Sequence, residues 1–141
     1  MNKTIAFCVD SNGGMRFNNR RQVKDAEMLS DLVSRFGGER IYIAPFSAKI
    51  FANYENVTVC EDPVSACEDN SLCFVEEANL LHGLGAFDTV VIYTWGLNYP
   101  ADEHFSFDLA SLGFKKISKD KIKTFIHEKI TREVYKSTCK Q

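Results

Sequence analysis

Between Asp10 and Asp25 the chain concentrates groups able to do chemistry: the Gly13-Gly14 pair, Asn12, Asn18 and Asn19, three arginines (Arg16, Arg20, Arg21), Gln22, and the acid itself. Guanidinium forks hold phosphate or carboxylate. A carboxylate projecting from a helix start accepts paired N–H bonds from an amidine-like edge. Gly14, Met15, Arg16, Asn18, Arg20, Arg21 and Gln22 are therefore expected to bind a ligand, with Asp25 as the acid of the site. Binding groups concentrate on loops carried by a rigid sheet. The competing reading is a solvated loop whose acid merely complements a helix dipole.

The other reactive residue types are dispersed. Histidines fall at 82, 104 and 127, and the cysteines at 8, 60, 67, 73 and 139 form no CxxC pair. No metal site is expected from such spacing, and the cysteines read as small buried hydrophobes in a reducing compartment. Glu76 and Glu77 fit the start of a helical turn, or a cation or amine site shared with Asp102 or Glu103. Tyr93 and Trp95 fit core or cleft wall, and His104 a satisfied histidine.

The elements that must position these groups follow from periodicity. Lys3 to Val9 is a β-branched and aromatic run ending in Asp-Ser-Asn-Gly-Gly, a core strand entering a loop that lasts to Gln22. Ala26, Leu29, Leu32, Val33 and Phe36 share one helical face, with Gly37-Gly38 as a left-handed cap. Strands are expected at 40–44 and 56–60, with a helix over 46–52 between them. Residues 72–75 lead into a short helix bearing Leu80, Leu81 and Leu84. TVVIYTW, from Thr89, is apolar without alternation and belongs in mid-sheet. Short strands at 104–107, 113–118 and 126–135 follow, the last two pairing across a turn at 119–123. The order gives an α/β fold: a single domain over 1–141 with a mixed β-sheet, flanking helices and an antiparallel C-terminal hairpin.

The 141 residues are 45% hydrophobic, enough for one sizeable core, and a formal net charge of -2 provides no general field for nucleic acid. Five apolar residues before Asp10 are too few for a signal core or a membrane span, which points to a soluble cytoplasmic protein.

In this order the elements resemble the dihydrofolate reductase family along most of the chain. IAFCVD, Gly14-Met15, an asparagine (Asn18 or Asn19) and Asp25 are similar to its first strand, active-site loop and substrate acid. CFVEEANLLHGLGAFDTVVIYT, ADEHFSFDL and the closing HEKITREVYKS run in register with its later elements. The resemblance implies an eight-stranded mixed sheet with a cleft beside the first strand. It also assigns cofactor contacts to positions where this chain departs from the family. Glu76 and Glu77 replace the phosphate-binding Gly-Gly pair, and Ala44-Pro45-Phe46-Ser47 replaces Gly-Arg-x-Thr, leaving one hydroxyl. Glu103 replaces the threonine that supports the substrate acid, so Asp25 and Glu103 are expected to share a proton as a catalytic pair. Leu81 replaces a tyrosine, and Arg20-Arg21-Gln22-Val23 occupies the region of the Trp and Pro flanking the acid.

Two carboxylates at a pyrophosphate site oppose an anionic cofactor. No cofactor is expected, NADPH included. The expected function is a reductase-like protein without NADPH-dependent activity, binding a small molecule or partner through residues 12–25. The alternative is a diverged oxidoreductase acting on a pterin-like or other heterocycle. The stretch N-G-G-M-x-F-N-x-R-R-Q is also similar to bacterial proteins carrying a ribonuclease Z name. The HxHxDH zinc motif of such metallo-β-lactamase ribonucleases is absent here, which argues against that activity.

Overall fold

A computed structural model describes residues 3–106 and 108–138 of the chain. Cys139, and Phe107 at the end of the expected 104–107 strand, lie outside the described residues. The main sheet has seven strands in the order β5-β4-β6-β1-β7-β10-β9, drawn from β1 (Lys3–Val9), β4 (Ile41–Ile43), β5 (Val57–Val59), β6 (Ser71–Phe74), β7 (Thr89–Trp95), β9 (Phe114–Ile122) and β10 (Ile130–Ser137). β5, β4, β6, β1 and β7 are mutually parallel. β10 runs antiparallel to β7, and β9 antiparallel to β10, which is the expected C-terminal hairpin.

β1 and β7 are central because both their faces are apolar. Ala6, Leu72, Val91 and Tyr93 pack toward α1 (Ala26–Phe36), whereas Ile5, Phe7, Cys73 and Val90 build a second core on the opposite face. α1 buries Met28, Leu29 and Leu32 and is capped by the Asp25 carboxylate, which accepts the Met28 N–H at 3.1 Å. At its C-terminus Gly37 stays right-handed and Gly38, at φ 62°, makes the left-handed turn. The second core is closed by α2 (Pro63–Ala66) and by 3-10 turns at Ala78–Leu80 and Leu84–Ala86. The stretch read as a helix over 46–52 is also two 3-10 turns, Pro45–Ser47 and Lys49–Phe51.

Three further expectations are corrected. The main sheet has seven strands among the described residues rather than eight. β10 pairs directly with β7, in antiparallel register. The stretch read as a loop to Gln22 folds as β2 (Gly14–Phe17) and β3 (Arg20–Arg21), joined with β8 (Glu103–His104) in a separate three-stranded sheet. Asn18 and Asn19, at φ 51° and 59°, supply the paired left-handed conformations of a two-residue hairpin turn. Finally, residues 119–123 are not a turn: β9 continues through Ile122, and the reversal lies at 123–129.

Candidate active site

The polar groups singled out in the sequence meet at the carboxyl ends of β1, β6 and β7, where open α/β sheets present their ligand sites. Asp10, directly after β1, organises this end. Its carboxylate accepts the N–H groups of Asn12 (2.8 Å), Gly14 (2.8 Å) and Tyr99 (3.0 Å) and the side-chain amide of Gln22 (3.2 Å). Burial alone would push the Asp10 carboxyl up, but these donors together outweigh it and hold it below the usual range. Gly14 is fixed by the same crowding: a Cβ there would stand 2.6 Å from the Ala101 Cβ and 2.8 Å from Asp10. Met15 is buried beside it.

Two of the arginines expected to bind a ligand have carboxylate partners within the chain. Arg16 pairs with Glu103 at 2.7 Å and stacks over Phe46, and Glu103 also accepts the Ala78 N–H at 3.2 Å. Arg21 donates through two nitrogens to Glu76, at 2.7 Å through its NH2 group, while the Ser47 hydroxyl donates to the same carboxylate at 2.7 Å. Glu76 thus accepts from both Ser47 and Arg21, which do not bond to each other. Glu77 is half-buried and precedes the 78–80 turn. Asn18 donates its N–H to Asp102 at 3.1 Å. Arg20 is exposed, and no side-chain hydrogen bond or ion pair engages it among the described residues.

Asp25 does not pair with Glu103, which Arg16 holds. Its Oδ2 accepts the Thr124 hydroxyl at 2.6 Å and lies 2.7 Å from His127 Nδ1. A carboxylate can only accept, so Nδ1 carries the proton, and in the neutral ring Nε2 accepts from the Tyr99 hydroxyl 3.0 Å away. The His127 ring stacks on Trp95 with centroids 4.5 Å apart. Burial pushes the Asp25 carboxyl up, yet the Thr124, His127 and Met28 hydrogen bonds prevail and keep it below the usual carboxylate range. Thr124, His127 and Tyr99 are the site residues that sequence reasoning missed. Thr124 and His127 sit in the 123–129 reversal, closed by the Thr124 N–H to the His127 carbonyl at 2.8 Å and docked on α1 through Asp25 and a Phe125 N–H to Glu27 bond.

These bridges leave little open space. A cavity of about 30 Å³, close to the volume of one water, remains between Cys8, Met15, Gln22, Met28, Glu76 and Trp95. Outside it lies a shallower cleft of about 210 Å³ walled by Phe17, Arg20, Arg21, Gln22, Tyr99 and Pro100. A broad, open depression of about 740 Å³ includes Thr4, Ser71 and Thr89 at the amino ends of the parallel strands, away from these groups. Among the described residues no three of His, Cys, Asp and Glu form a metal-ligand cluster.

Comparison with solved structures identifies the architecture. Dihydrofolate reductase from Enterococcus faecalis, complexed with NADP(H) and RAB-propyl, superimposes with a TM-score of 0.71 over 97% of this chain and 96% of that one. The chain has the dihydrofolate reductase fold. Sequence identity between the two is 10%, so the likeness is one of fold. No protein-family model matches the chain, and no curated protein matches it in sequence. Asp25 stands at the start of α1, where its carboxylate accepts the Thr124 hydroxyl at 2.6 Å. No helix among the described residues is long and apolar enough to cross a membrane.

Proposed function

We propose that this chain is a reductase-fold binding protein that does not use NADPH, and that it takes a small anionic molecule at the segment from Asn12 to Asp25. One observation carries the reading. The Arg21–Glu76–Ser47 bridge spends the side chains at the family's cofactor positions on each other and leaves a cavity of about 30 Å³ where a nicotinamide ring needs several times that volume. The Arg20 guanidinium, beside Phe17 and Tyr99 in the 210 Å³ cleft, offers the cation for a carboxylate or phosphate. Free Cys8, Cys60, Cys67 and Cys73 support a cytoplasmic, reducing location.

A second reading, a diverged oxidoreductase acting on a heterocycle, draws support from the Asp25–His127–Tyr99 chain, which ends on a half-buried phenol at that same cleft. Burial first, and the Asp25 charge second, raise the Tyr99 phenol, so it remains a proton donor at neutral pH.

A thermal-shift series with phosphate, small carboxylates, pterins and nicotinamide cofactors tests both. The binding reading expects stabilisation by an anion and its loss in Arg20→Gln, with no response to the nicotinamides. NADPH oxidation in the presence of a pterin would overturn it in favour of the second.

A further inference from the structure

We infer that Tyr99 is the nucleophile of a phosphodiester-cleaving site, with His127 as its base, Asp25 orienting that base, and Arg20 holding the diester anion. The inference rests on the anion-binding reading of the outer cleft and names the chemistry of the anion. The Tyr99 hydroxyl donates to His127 Nε2 at 3.0 Å, and His127 Nδ1 donates to Asp25 Oδ2 at 2.7 Å. A hydroxyl within hydrogen-bond reach of a base, itself oriented by a third group, is the arrangement that activates a nucleophile. His127 and Asp25 are buried, the stacked Trp95 ring fixes the imidazole plane, and Thr124 and the Met28 N–H fix the carboxylate. Of the three, only Tyr99 lines the cleft. Clamping the 123–129 reversal onto α1 uses Asp25, Thr124 and His127; it gives no reason for a half-buried phenol at the outer end of the chain.

Charge and shape give the substrate class. Arg20 and Arg21 both wall the cleft, but Arg21 is spent on Glu76, which leaves one unpaired guanidinium. The carboxylates bonded to the wall, Asp10 and Glu76, are already met by donors of the chain. One cation matches the single charge of a phosphodiester better than the near-double charge of a monoester. Phe17, Tyr99 and Pro100 offer an apolar wall to a ring beside the phosphate. As Tyr99 Oη bonds to phosphorus, its proton passes to His127 Nε2 and one ester P–O bond breaks; His127 then returns the proton to the departing oxygen. Water, deprotonated by the same base, next displaces Tyr99 from phosphorus, which releases a phosphomonoester and restores the phenol. Asp25, its carboxyl held low by its hydrogen bonds against burial, stays ionised and stabilises the imidazolium. Burial first, then the Asp25 charge, raises the Tyr99 phenol, so His127 must take its proton during attack.

The test is turnover of bis(p-nitrophenyl) phosphate by the full chain, with a chelator present to silence contaminating metal-dependent esterases. The expected result is nitrophenolate release, with a nitrophenylphosphoryl adduct on Tyr99 found by peptide mass spectrometry after an acid quench. Tyr99→Phe keeps the ring wall and the Asp25–His127 pair, so it should fold as wild type and lose both signals. His127→Gln should slow release by roughly a hundred- to ten-thousandfold. Inert diphenyl phosphate, in a thermal-shift assay, separates the two claims. Stabilisation by it, lost in Arg20→Gln, without nitrophenolate release or with release undiminished in Tyr99→Phe, would overturn the inference and leave the anion-binding reading standing. No stabilisation would remove that reading and the inference with it. Competition by a dinucleoside monophosphate and by glycerophosphocholine distinguishes a nucleotide from a lipid-headgroup source. The aromatic wall predicts that the dinucleotide competes better, and the reverse order would overturn the part assigned to Phe17.

Discussion

Asp25→Ala is expected to lower the stability of the fold by about 4 kcal/mol, which is a large share of the roughly 5–15 kcal/mol that a domain possesses. The helix cap contributes about 1 kcal/mol of this. The remainder comes from the buried Thr124 hydroxyl and His127 Nδ1, each left without its charged partner, at about 1.5–3 kcal/mol per bond before relaxation. Asp25→Asn should fall between, since an amide oxygen still caps α1 but provides no charge for His127. The folded Asp25 carboxyl titrates below its unfolded value of about 3.9. Its contribution is therefore complete above that pH and is lost as the pH falls through the folded value. Urea unfolding of wild type and Asp25→Ala at neutral pH and again below about pH 3 should show the gap narrow in acid. An equal gap at both would mean that the acid does not act through its charge.

The second large effect is expected at Asp10, a residue that no ligand need touch. Asp10→Ala removes the acceptor shared by the N–H groups of Asn12, Gly14 and Tyr99 and by the Gln22 amide. With the Gly14 N–H buried and the others partly so, the loss should be on the order of 3 kcal/mol. It should also be local first. Gly14 and Tyr99 amide exchange should accelerate before that of β7, because Asp10 ties the entry to β2 to the segment after β7. Uniform acceleration would show that this corner opens only with the whole sheet.

Much of the fold was legible because its signals are local. β1, α1 and β7 announce themselves through apolar runs and a 3.6-residue stripe, and the ends of α1 through Asp25 and Gly38. The reading failed where sequence chemistry was ambiguous. Residues 119–123, KDKIK, look like a turn because they are polar, yet an edge strand is polar on its exposed face and lysines guard its free edge. Alternation through Ile126 to Tyr135 then drew His127 into a strand, when it belongs to the reversal that reaches Asp25. The asparagine pair at 18–19 is the local signal for the hairpin, since both residues tolerate the left-handed conformation they adopt.

The candidate site was legible in its residue types and not in its partnerships. Arg16 and Arg21 look like free cations from the sequence, since Glu103 and Glu76 stand 87 and 55 positions away. Only the parallel arrangement of β1 and β6 brings the Glu76 end of β6 beside the segment that follows β1. The same holds for Asp25 and His127, which are 102 positions apart and adjoin because β10 pairs with β7, beside β1. Tyr93 donating to Asp31 at 2.7 Å, and Arg132 reaching that same carboxylate at 2.8 Å, form another long-range network behind α1 with no motif to reveal it.

The proposed function rests on the Arg21–Glu76–Ser47 bridge keeping a nicotinamide cofactor out of the cleft. Calorimetric titration of NADPH into the purified full-length chain at neutral pH tests this most directly. No binding heat is expected up to millimolar cofactor, alongside an unchanged unfolding temperature. Saturable binding in the micromolar range would contradict it, because the bridge would then have to open and yield Glu76 and Ser47 to the cofactor.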